Sequence, residues 1–187
     1  EMSASLVGSE MCIRDRQIPI SQADAKYKRY IGNGAPKHFL SWSNNLTWRN
    51  FDLSVFFRGT FGFDVFNMRK YGMGLQGCGT DNVLRSAYLE DKNIRTGGGV
   101  ISSYFLEDGS FIKLENVTLG YNFTPKNRKL LDNMRIYLSA KNLFTLTGYS
   151  GNDPSIIDVN GIQPGVDSNS AYPTATQLSL GVTLRFK

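Results

Sequence analysis

The sequence predicts an all-β protein of antiparallel, up-and-down strands, one face of which meets lipid. Three observations carry this. Five stretches alternate apolar and polar residues with period two, the connections between them alternate between short and long, and the 187 residues include 12% aromatics and 19 glycines.

The first sixteen residues, EMSASLVGSEMCIRDR, follow neither a helical nor a strand period. They read as translated sequencing-adapter read-through, so residues 1–16 are set apart from residues 17–187. The first strand is expected at 38–48, with Leu40, Trp42, Leu46 and Trp48 on one face and Ser41, Ser43, Asn45 and Thr47 on the other. After Arg49-Asn50 a second strand of about fifteen residues is expected, placing Phe51, Leu53, Val55, Phe57, Phe61, Phe63 and Val65 opposite Asp52, Ser54, Arg58, Thr60 and Asp64.

Residues 67–102 are Gly-rich and loop-like, with helical spacing of Val83, Leu84, Ala87 and Tyr88 inside them. A third strand over 110–123 ends with Val117, Leu119, Tyr121 and Phe123 on its apolar side. The segment TPKNRKLLDN leads to a fourth, where Met134, Ile136, Leu138 and Ala140 face away from Arg135, Tyr137, Ser139 and Lys141. Residues 145–173 form a second long irregular segment, and the fifth strand, 175–187, sets Leu178, Leu180, Val182, Leu184 and Phe186 against Gln177, Ser179, Thr183 and Arg185.

Compact soluble domains rarely hold two irregular loops longer than about 12–15 residues. A membrane barrel does so by construction, with short turns on the periplasmic side and long loops outside. The apolar faces, rich in Phe and edged by Trp42, Trp48 and Tyr121, suit lipid and an interfacial aromatic girdle. An antiparallel sandwich explains the alternation equally well but not the strand length or the loop asymmetry. Five strands cannot close a barrel, since about eight are needed and open edges in lipid leave amides unsatisfied. The chain therefore reads as part of a larger wall.

Composition excludes several classes. The net charge is +5, yet no run of basic residues appears and nucleic-acid motifs are missing. No apolar stretch approaches the roughly 18 residues of a membrane helix, which leaves strand-type spans of about 9–11 residues untouched. Cys12 and Cys78 have no metal-ligand spacing, and His38 is the only histidine, so no disulfide framework, metal site or His-based triad is expected. No signal peptide is visible at residue 1.

The segments YIGNGAPKHF (30–39), NNLTWRNFDLSVFFRGTFGFDVFN (44–67), YFLEDGSFIKLENVTLGYNF (104–123), MRIYLSAKNLFTLTGYSGNDP (134–154) and LSLGVTLRF (178–186) resemble, in order, the C-terminal barrel region of SusC/RagA-type TonB-dependent transporters. The stretch through Gly109-Ser110, Leu114, Asn116 and Leu119-Gly120-Tyr121 is the most specific, with Asn142-Leu143-Phe144, Gly151 and Asp153-Pro154. Lys113 departs from the family's usual Arg, and Lys187 follows the terminal aromatic Phe186.

The resemblance implies the last five or so strands of a 22-stranded barrel in the outer membrane of a Bacteroidetes-type bacterium. It implies import of glycan fragments or peptides under a SusD-like lipoprotein. The further partners it implies are outer-membrane lipid, the remainder of the chain's own barrel and plug, and the TonB complex, reached through an N-terminal region absent here. A secreted β-sandwich carbohydrate-binding module and a TonB-dependent siderophore or corrin receptor are the alternatives.

No residue presents a case for catalysis, and no cofactor is expected. Glu107-Asp108 precedes Gly109-Ser110 in a turn-like setting and lacks the opposed carboxylates of glycoside cleavage. Gly32-Asn33-Gly34 lacks the strand–turn–helix context of a phosphate loop, and Asp153 with Asp158 matches no calcium loop. Cargo contact, where this segment makes any, is expected from Tyr71, Tyr88, Tyr149 and Tyr172, whose rings could stack on sugars, with Asp153 and Asp167 as hydrogen-bond partners.

Overall fold

The computed structural model describes residues 5–9, 12–13, 16–17, 28–74, 82–85, 88, 103–125, 131–156, 164–168 and 172–186. In chain order the strands are β1 (Ser5–Ser9), β2 (Cys12–Ile13), β3 (Arg16–Gln17), β4 (Lys28–Asn33), β5 (His38–Trp48), β6 (Phe51–Phe61) and β7 (Asp64–Asn67). The helix α1 (Met68–Met73) follows, then β8 (Leu106–Asp108), β9 (Phe111–Phe123), β10 (Leu131–Thr147), β11 (Val166–Asp167) and β12 (Gln177–Phe186). They fall into two compact units. One comprises Glu1–His38, Phe61–Ser110 and Thr147–Pro173; the other comprises Phe39–Thr60, Phe111–Leu146 and Thr174–Lys187.

The second unit is a five-stranded sheet whose strands follow one another in chain order, β5, β6, β9, β10, β12, the intervening β7, β8 and β11 belonging to the first unit. This is the up-and-down arrangement that period-two alternation and alternating loop lengths predict. The tight connection Arg49-Asn50 has φ 54 at Arg49, as hairpin turns that follow the twist of a sheet require.

Register keeps the faces separate. Phe51 pairs with Tyr121, Leu53 with Leu119, Val55 with Val117, while Asp52 meets Gly120 and Ser54 meets Thr118 on the other side. Between β10 and β12, Ile136 pairs with Val182 and Leu138 with Leu180, against Tyr137 with Gly181 and Ser139 with Ser179. The pairing slips between Phe56 and Phe57, so that Asn116 and Leu114 are consecutive partners and Glu115 is the extra residue of a β-bulge. The bulge reverses the parity of β9 and brings Leu114 to the same face as Phe57.

The apolar face is uncovered. Leu180 is 75% exposed, and Leu40, Trp42, Leu46, Trp48, Phe51, Leu119, Tyr121, Phe123, Ile136, Leu138, Leu178, Val182, Leu184 and Phe186 are exposed with it; Leu53, Val55, Phe57 and Val117 are half-buried. Rings gather on this face: Phe51 and Tyr121 lie 4.9 Å apart, Trp42 and Phe57 5.6 Å, Phe57 and Phe144 6.4 Å. A β-sandwich would cover such a face with a second sheet. Among the described residues none does.

Three of the residues expected on this face belong elsewhere. The alternation from Phe51 runs on through Phe61, Phe63 and Val65, but the strand stops at Phe61 because Gly62 takes φ 73. Phe63 is 3% and Val65 0% exposed, both in the core of the first unit, and Phe61 is half-buried at its edge. They are not lipid-facing.

The first unit holds a small sheet ordered β11, β7, β8. Phe66 pairs with Leu106 in antiparallel fashion and with Val166 in parallel. Phe66 and Phe105 are buried at its centre with Tyr71, Tyr104 and Leu106 packed against them. β1 pairs with β4, so Ser5–Ser9 forms a strand although its sequence shows no alternation. α1 was not expected. The Asn67 side chain caps it by accepting the Lys70 N–H at 2.9 Å. Of the expected helix near Val83–Tyr88, the Tyr88 N–H bonds the Arg85 carbonyl at 3.1 Å; Ala87 lies outside the described residues.

Candidate functional site

On the polar face of the wall, side chains are joined across strands. Arg135 on β10 spans β9 to reach Asp52 on β6, with Nη2 2.5 Å from Oδ2 and Nε 3.2 Å from Oδ1. Asn122 donates to the same carboxylate at 2.8 Å. The path is open because Gly120, which pairs with Asp52, has no side chain; a Cβ there would lie 2.5 Å from the Asp52 oxygen. The Arg135 guanidinium also sits 5.2 Å from the Tyr137 ring centroid, and that ring covers Gly181, whose Cβ would overlap it.

Further along the face, the bulge residue Glu115 lies 3.2 Å from Arg58 Nε, and Lys113, buried, donates from Nζ to Thr174 Oγ1 at 2.6 Å. Thr118 and Asn116 both bond Ser139. These are charged and hydrogen-bonding groups that water tolerates and hydrocarbon does not.

In the first unit the six expected cargo residues divide. Tyr71 packs in the aromatic core, 5.2 Å from Phe105 and 5.9 Å from Phe66. Tyr149 is 6% exposed and donates its hydroxyl to Asp167 Oδ2 at 2.6 Å. Burial first, then the Asp167 carboxylate beside it, pushes this hydroxyl well above its ordinary range, so it stays a donor. Asp153 accepts the Ser155 N–H and hydroxyl at 2.9 and 2.6 Å and shapes the turn at Pro154.

A buried ring offers no face to a sugar, so Tyr149 is corrected to an internal brace, with Asp167 as its partner. Tyr88 and Tyr172 remain open to solvent, Tyr172 at 86% exposure. No three His, Cys, Asp or Glu side chains converge among the described residues.

The hub that sequence reasoning missed is Glu107. Its carboxylate accepts the Ser150 N–H and hydroxyl, both at 2.8 Å, and the Asn67 amide at 3.4 Å, and pairs with Lys70 Nζ at 3.3 Å. Asp108 makes the expected turn, accepting the Ser110 N–H at 2.9 Å. Gly109 is required because a Cβ would overlap Phe63 and Val65.

No protein-family model matches the chain. TonB-dependent receptor P3 of Formosa agariphila is 28% identical over 188 residues, covering 89% of this chain and 18% of that protein. TonB-dependent receptor SusC of Bacteroides thetaiotaomicron is 28% identical over 153 residues, covering 77% of this chain and 14% of that protein. A solved structure of the RagAB peptide transporter superposes with a TM-score of 0.73 at 21% identity, over 96% of this chain and 22% of that one. The RagAB peptide importer in its open-open state gives 0.69 at 22% identity, over 98% and 21%. The chain thus spans less than a fifth of the length of these curated relatives, and the likeness to the solved structures is one of fold. Its homologues are TonB-dependent receptors, SusC among them.

Proposed function

We propose that this chain, a segment similar to SusC- and RagA-type TonB-dependent receptors, is a C-terminal piece of a transporter wall in the bacterial outer membrane. The observation that carries the reading is the division of one five-stranded sheet into an uncovered apolar face and a polar, ion-paired one. Hydrocarbon suits the first; a water- or plug-filled lumen suits the second. Both sheet edges, β5 and β12, are open within the sheet, and backbone groups in lipid require partners, so further strands of the same barrel complete it, to 22 by the family resemblance.

The complete transporter imports a bulky nutrient, a glycan fragment or a peptide, energised through TonB and working with a SusD-like lipoprotein. Support comes from the SusC relative and from the RagAB structures, which are of a peptide importer. The wall segment performs no chemistry in this reading. Tyr88 and Tyr172 are its candidates for cargo or lipoprotein contact, being the expected tyrosines that stay exposed.

The test is deletion and complementation of the full-length gene. Loss of growth on the oligosaccharides or peptides handled by its neighbouring genes, restored by the intact copy, and co-purification of an outer-membrane lipoprotein support the proposal. Growth lost instead on iron chelates or corrins assigns the barrel a different cargo.

A further inference from the structure

The Glu107 cluster ties together segments that are remote in sequence. Asn67 caps α1 and bonds Ser150 Oγ at 3.2 Å; Lys70 in α1 pairs with Glu107 and lies over the Tyr104 ring at 4.5 Å; Arg69 donates to Asn152 at 2.6 Å. Ser150 gives both its donors to Glu107, and the adjoining Tyr149 holds Asp167 on β11. Thr147 donates to the Ser110 carbonyl at 2.9 Å, just beyond the Asp108 turn. Each long connection thus reaches the same carboxylate, one through Asn67 and Lys70 and the other through Ser150.

We infer that Glu107 is a clasp that makes 67–74 and 147–156, the described parts of the two long connections beside it, one cooperative body. The four donors reach one carboxylate from both sides, so losing either side removes part of what orients the carboxylate for the other, and the two open together. The consequence deepens the transport reading, on which it rests. The Leu84 N–H bonds the Met73 carbonyl at the end of α1, four residues before Tyr88, and Tyr149 bonds Asp167 on β11, five residues before Tyr172, so the clasp holds the described elements that lie nearest in sequence to both exposed tyrosines.

Hydrogen exchange on the full-length receptor in bilayers tests this, with the amides of Gly74 and Ser155 as reporters. Gly74 N–H bonds Lys70 O and Ser155 N–H bonds Asp153, so neither touches Glu107. In Glu107→Ala both reporters exchange at least tenfold faster and by the same factor. Acceleration of one alone, or of Ser150 and Lys70 only, overturns the clasp. Where Glu107→Ala does not assemble, Glu107→Gln, which keeps an acceptor for Ser150 but loses the ion pair, accelerates both in step by a smaller factor; acceleration of the Gly74 side alone overturns it. The exchange rates are read whether or not the receptor takes up any cargo, so failure of the transport reading is seen separately, in uptake by the unaltered protein.

Discussion

Arg135 holds Asp52 across the bare backbone of Gly120, its guanidinium reaching over an intervening strand to make a two-pronged bond with the carboxylate. A glycine in the middle of a strand ordinarily weakens it. Here it is the opening through which β6 and β10 are linked over β9.

Gly120→Ala is therefore expected to cost about 1–3 kcal/mol, the usual penalty for inserting atoms into a filled space. Denaturant unfolding of the full-length protein, compared in a cycle with Asp52→Ala, checks the cause. In the Asp52→Ala background the extra methyl meets no carboxylate, and the penalty of Gly120→Ala largely disappears.

Leu180→Arg on the apolar face is expected to destabilise the barrel by about 2–4 kcal/mol, as cations do at a bilayer midplane. Ser179→Arg, one residue away on the polar face, is tolerated. Folding yields of the two variants into vesicles give the comparison.

Phe63→Ala is expected to cost about 3–5 kcal/mol in local opening of the first unit, because it empties a buried site. Phe123→Ala, at an exposed position of the wall, leaves that opening unchanged. Exchange of the Phe66 amide, which bonds Gly165 O at 2.7 Å, reports it.

Tyr149 predicts a pH effect. Its hydroxyl is held above the ordinary value of 10.0, so the folded state keeps the proton more tightly than the unfolded chain does. Its contribution is full below pH 10 and is lost as pH rises beyond it. Thermal unfolding measured from pH 8 to pH 11, about a unit or two either side of an ordinary tyrosine, should show the wild type losing stability at the alkaline end more steeply than Tyr149→Phe. At neutral pH Tyr149→Phe is itself weaker by about 1.5–3 kcal/mol, having lost a bond to a charged group.

The five-stranded sheet was legible in the sequence because a strand with one apolar and one polar side writes the two into alternate residues. His38–Trp48 has the expected bounds, and Gln177–Phe186 comes within two residues of them. The break after Phe61 was hidden because Phe63 and Val65 continue the same alternation while a positive φ at Gly62 redirects the chain. The bulge at Glu115 was hidden because one extra residue changes parity without changing composition. Among the tyrosines, burial distinguished Tyr149 from Tyr172, and burial depends on Asp167 and on segments distant in sequence. Glu107 looked like half of a turn, whereas its main partner lies 43 residues away.

The most direct test of the lipid-facing wall is spin labelling of single cysteines along β12 and β6 in the full-length protein in bilayers, with collision rates measured for oxygen and for a water-soluble nickel chelate. Labels at Leu178, Leu180, Val182 and Leu53 should collide preferentially with oxygen, and labels at Ser179, Thr183 and Ser54 with the chelate. Chelate access at Leu180 and Leu53 together with oxygen access at Ser179 and Ser54 would contradict the assignment of the faces, and with it the membrane wall.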